Sequence, residues 1–66
     1  MILVLTLHAQ ERMDQYGVSE EQIKVAIRCG AKSPQTDGFI ARYTYLCVAY
    51  KIRGDKHVIK TVYIDR

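Results

Sequence analysis

The sequence predicts an α+β domain: an N-terminal strand and a two-helix hairpin followed by a three-stranded antiparallel β-meander. Three observations carry this expectation. Val18 to Cys29 combine a complete helix-start signature with helical apolar spacing. β-Branched and aromatic residues crowd the chain from Phe39 onward. A length of 66 residues leaves room for one domain, 1–66, whose small core supports a stability of roughly 3–5 kcal/mol.

Taken in order, Ile2 to Leu5 are apolar and β-compatible and read as a buried strand. Thr6 stands where an N-cap belongs, and Leu7 to Tyr16 form the first helix, with Ala9, Met13 and Tyr16 on one stripe. Gly17 ends it. Ser19 and Gln22 make a capping box, with Val18 and Ile23 as the hydrophobic staple around it. Glu20 and Glu21 suit the positive end of this second helix and Arg28 its negative end. Its buried stripe is Ile23, Ala26 and Ile27, and Gly30 closes it after Cys29. Ser33-Pro34 and Asp37-Gly38 mark residues 31–37 as a loop. Strands follow near 39–44, 46–53 and 57–64.

The last hairpin has two readings. A two-residue Gly54-Asp55 turn pairs Ile52 with His57 and Val48 with Thr61, placing His57, Ile59, Thr61 and Tyr63 on the face of Val48 and Tyr50. A three-residue loop shifts the register and sends Val58, Val62 and Ile64 to the core instead. Turn chemistry favours the first and core hydrophobicity the second.

Composition narrows the function classes. At 48% hydrophobic and 26% charged, the chain is that of a folded protein rather than a disordered one. The opening Met-Ile-Leu-Val-Leu-Thr-Leu lacks a basic start and is too short for a signal peptide, and no run approaches membrane-spanning length. Cys29 and Cys47 are too few for a disulfide framework or a zinc knuckle and read as buried reduced thiols, as in a cytoplasmic protein. The net charge of +3 is uneven. Residues 1–30 balance at −1 and residues 31–66 at +4. Arg42, Lys51, Arg53, Lys56 and Lys60 lie in the sheet half, which points to a polyanion such as RNA. Lysines on a solvated sheet also suppress strand aggregation, so the same charges fit a purely soluble face.

His8 and Arg12 stand four residues apart, one turn of the first helix. The positive helix end and Arg12 both favour a neutral imidazole at His8. A neutral imidazole beside a guanidinium suits phosphodiester chemistry, one taking a 2′-hydroxyl proton and the other holding the phosphate. Such pairs are more often structural. His57, next to a turn, reads as a surface residue. No Cys, His or acidic residues stand at ligand spacing, so neither a metal nor another cofactor is expected. Tyr43, Tyr45, Tyr50 and Tyr63 fit either a stacking platform for bases or ordinary strand packing.

The run Thr6-Leu7-His8-Ala9-Gln10-Glu11-Arg12-Met13-Asp14-Gln15-Tyr16-Gly17-Val18-Ser19 resembles the opening of a family of small uncharacterised domains. Its pattern is T/S-x-H-A-x-x-R-M-x-x-x-G-[IV]-S, and a closing T-V-Y is matched by Thr61-Val62-Tyr63. The position before Gly17, often Arg or His in relatives, is Tyr16. The family is grouped with RelE-like and BrnT-like ribonuclease toxins. The resemblance therefore implies a RelE-like fold and metal-independent cleavage of RNA. It implies His8, Arg12 and Tyr63 as catalytic positions, assisted by a sheet cation such as Lys51, and an antitoxin protein as partner. The alternative expectation is a non-catalytic module that docks protein or nucleic acid through its sheet. A homodimer with a structural role is a third.

Overall fold

The computed structural model describes residues 1–66. Its elements are β1 (Ile2–Leu5), α1 (Leu7–Tyr16), α2 (Glu20–Cys29), β2 (Ala31–Gln35), β3 (Gly38–Tyr43), β4 (Leu46–Arg53) and β5 (Lys56–Ile64). The strands form one five-stranded mixed sheet in the order β1-β5-β4-β3-β2. Strands β2 to β5 pair antiparallel in succession, and β1 lies parallel to β5.

Both helices are built as their local signals require. The Thr6 hydroxyl accepts from Ala9 N–H at 3.2 Å, and Gly17 ends α1 in the left-handed conformation. At α2, Ser19 Oγ accepts from Gln22 N–H at 3.3 Å while Gln22 Oε1 accepts from Ser19 N–H at 2.8 Å. The helices lay Ala9, Met13, Val18, Ile23, Ala26 and Ile27 against Ala41, Leu46, Val48, Tyr50, Ile59 and Val62 of the sheet. No polar or charged residue is buried there. The opposite face of the sheet carries no element at all.

Three expectations are corrected. The meander is longer than three strands, because residues 31–35 are not a loop but β2. Pro34 pairs with Phe39 one step from the turn-closing pair, where a strand's N–H points away from its partner. An edge strand tolerates a proline there because no ladder bond is lost. The apolar run 2–5 is not buried but is the other edge of the sheet, with Ile2 and Val4 exposed. Cys29 is exposed, whereas Cys47 is buried.

The ambiguous hairpin resolves into both readings at once. The turn is the two-residue one, with Gly54 at φ 61°, and Ile52 faces His57 and Tyr50 faces Ile59. A β-bulge then intervenes, because Ala49 pairs with Thr61 and leaves Lys60 as the extra residue. Beyond it Val48 faces Val62 and Leu46 faces Ile64. The bulge lets Ile59 and Val62, three residues apart, both be fully buried while Thr61 and Tyr63 turn away. The N-cap of α1 docks on this bulge. Thr6 Oγ1 lies 2.8 Å from the Ile59 carbonyl oxygen and 3.2 Å from that of Lys60.

Candidate nucleic-acid interface

Strand alternation decides which side chains reach the uncovered face. Since Val48 and Tyr50 point to the helices, Cys47, Ala49, Lys51 and Arg53 point away. Their cross-strand partners follow them: Arg42 and Ile40 on β3, and Tyr63, Thr61, Val58 and Lys56 on β5. Rows run across the sheet as Arg42-Cys47-Tyr63, then Ile40-Ala49-Thr61, then Lys51-Val58-Val4, then Arg53-Lys56-Ile2. The bulge residue Lys60 joins this face, since it and Lys51 approach the same carboxylate. All five cations singled out in the sequence are thus on one side of one sheet.

Two carboxylates temper this surface. Asp37 Oδ2 lies 3.6 Å from Lys60 Nζ and 3.8 Å from Lys51 Nζ, and its carbonyl accepts from Lys60. The β2–β3 turn reaches that position by folding close over β4. A Cβ at Gly38 would collide with the Tyr50 carbonyl, and the φ of 124° there favours glycine as well. Asp65 Oδ2 accepts from Arg42 at 2.7 Å and the Asp65 carbonyl accepts from the same guanidinium at 3.3 Å. Arg53 and Lys56 are exposed and make no ion pair. Nothing in the sequence signals Asp37 and Asp65 as counter-charges, because their partners lie up to 23 residues away.

The implied catalytic residues do not share a site. His8 is exposed on α1 and makes no hydrogen bond, and Arg12 donates to Gln15 Oε1 at 3.2 Å. Tyr63 lies on the uncovered face, opposite the helix layer. Burial pushes its phenol above the ordinary value, with Cys47 and Asp65 adding to the shift and Arg42 opposing it. His8 and Arg12 remain neighbours one turn apart, and Tyr63 belongs with Cys47 and Arg42 instead.

The tyrosines do not form a stacking platform either. Tyr50 is buried under the helices, its phenol raised by that burial, and its ring lies between Phe39 and His57 at centroid distances of 5.7 Å each. Tyr45 sits in the β3–β4 turn, and only Tyr63 faces the cations. His57 is half-buried rather than a surface residue, and its Nδ1 is shielded without a hydrogen-bond partner. Between α2 and the β3–β4 turn lies a cleft of about 260 Å³ lined by Glu21, Gln22, Val25, Tyr43, Thr44 and Leu46. Thr44 there takes a left-handed φ of 57°, unfavourable for a β-branched residue. No group of three His, Cys, Asp or Glu side chains stands together as a metal site would require. No helix is long and apolar enough to cross a membrane.

Helices on one side and cations on the other define a two-layer α+β domain with an exposed, positively charged sheet. A family model described as a domain of unknown function, DUF4258, matches residues 5–64, and the chain belongs to that family. No curated protein and no solved structure matches it.

Proposed function

We propose that this domain binds RNA through the uncovered face of its sheet. The observation that carries the reading is the convergence of Arg42, Lys51, Arg53, Lys56 and Lys60 on that face. Phosphates supply the affinity. With one tyrosine on the face, base stacking adds little and sequence preference is weak. Ile40, Ala49, Val58 and Thr61 give a flat, mostly apolar strip between the charges, against which riboses and bases can lie.

The test is fluorescence anisotropy with a labelled single-stranded RNA at a series of salt concentrations. Affinity falls steeply with salt, and Lys56→Ala lowers the log–log slope by about 0.7, the contribution of one phosphate contact on a single strand. Arg28→Ala, on the helix side, leaves the slope unchanged. Binding that ignores salt, or none at low salt, removes this reading.

A second reading keeps the resemblance to RelE-like and BrnT-like ribonuclease toxins. The observation in its favour is the exposed His8 one helical turn from Arg12, with neither in an ion pair. There His8 is the general base toward a 2′-hydroxyl, Arg12 holds the phosphate, and an antitoxin is the protein partner. Cleavage then continues in chelator and leaves a 2′,3′-cyclic phosphate, and folded His8→Ala loses roughly 10²–10³ in rate. An intact labelled RNA after prolonged incubation with the wild type leaves the binding reading alone.

A further inference from the structure

The two edges of the sheet are not protected alike. β2 carries Lys32 and Pro34, and the proline removes a donor from the outward row of backbone groups. β1 is Ile-Leu-Val-Leu, has no charge, proline or bulge, and no element pairs with its outer side. Exposed, flat, apolar edges of this kind are templates for another strand. Met1 to Leu7 contain no charged side chain, and Leu7, directly after the strand, is 74% exposed.

We infer that β1 pairs antiparallel with β1 of a second copy of this chain, joining two sheets into one of ten strands. The register follows from the backbone. Thr6 N–H donates to the Ile59 carbonyl, so Thr6 and Val4 direct their amides to β5, and Leu3 and Leu5 direct theirs outward. The outward Leu5 carbonyl is reached by Gln10 Nε2 at 3.2 Å, which leaves its second lone pair free. Leu3 of one copy and Leu5 of the other then exchange two backbone hydrogen bonds on each side of a two-fold axis at Val4.

A second copy is the occupant that the edge itself favours. A strand without charge meets no like charge when it meets itself, and the pairing closes after two chains. The other edge offers no such template, so a β1-to-β2 filament is blocked by Pro34 and Lys32. The two uncovered faces become continuous, and the inference does not depend on what they bind.

Sedimentation equilibrium of the full chain tests it, together with disulfide trapping in a Cys29→Ser background. The wild type is a dimer. Val4→Lys, at a 39% exposed position, is a monomer that still melts cooperatively, at a midpoint no longer dependent on protein concentration, because two lysines would face each other across the axis. Val4→Cys forms a cross-linked dimer, since the Cα atoms of such a pair stand about 4.5 Å apart, within disulfide range. Ile2→Cys does not, because its two copies are about 13 Å apart in this register. A monomeric wild type overturns the inference and leaves the edge to a strand of another protein. Equal cross-linking at Ile2 and Val4 overturns it also.

Discussion

The two faces of the sheet are made from alternate residues of the same strands, yet they have opposite chemistry. Toward the helices, Val48, Ile59 and Val62 are fully buried in an apolar core that contains no fully buried polar or charged residue. Away from them, Lys51, Thr61 and Tyr63 keep company with four other cations and two carboxylates. The first face is committed to stability, and the second is free to bind. The bulge at Lys60 keeps the two apart, because without that extra residue Thr61 and Tyr63 would turn inward and Val62 outward.

If the division is real, neighbouring substitutions should differ most across it. Ile59→Ala should cost about 2–5 kcal/mol, enough to unfold much of so small a domain, through the lost burial and the cavity left. Val58→Ala, one residue away on the uncovered face, should cost under about 1 kcal/mol. Urea midpoints of the two variants measure this, and similar midpoints would break the comparison.

Gly38→Ala comes next. The substitution strains a backbone at φ 124° against the Tyr50 carbonyl and should cost about 1–3 kcal/mol by the same urea measurement. Asp37→Asn should alter stability by less than about 1 kcal/mol, since its ion pairs are largely solvent-exposed. It should nonetheless tighten RNA binding, because Lys51 and Lys60 lose their competitor. Weaker binding by Asp37→Asn would mean that Asp37 positions the lysines instead of masking them.

The smallest effect is alkaline. Tyr50 and Tyr63 have raised phenol values in the folded chain, both chiefly through burial. Their contribution to stability is therefore complete below the unfolded value of about 10 and is lost as pH rises through the folded values. Thermal melts should show stability declining above about pH 10, and Tyr63→Phe should shallow that decline. A Tyr63→Phe profile identical to wild type would place the phenol in an ordinary aqueous setting.

Much of this was legible in the sequence where a local signal acts alone. The capping box at Ser19 and Gln22, the helix end at Gly17 and the turn at Gly54 needed no tertiary information. β2 was hidden because Pro34 argues against a strand unless its edge position is already known. β1 read as buried for a similar reason: an apolar run looks the same at an edge as in a core. The bulge was illegible because turn chemistry and core hydrophobicity each implied a different register, and one extra residue satisfies both. For the site, the cations were visible as residue types, but their common face depended on that bulge. The separation of Tyr63 from His8 and Arg12 follows from strand alternation, which a motif does not encode.

The account rests on RNA touching the uncovered face, and a methyl-resolved NMR titration with single-stranded RNA tests that most directly. Ile40 and Val58 report on the uncovered face, Val48 and Ile23 on the buried layer, and the imidazole of His8 on α1. The account predicts shifts at Ile40 and Val58 that grow with RNA and disappear at high salt, with Val48, Ile23 and His8 unmoved. Shifts centred on His8 and its neighbours on α1, with Ile40 and Val58 silent, would contradict it.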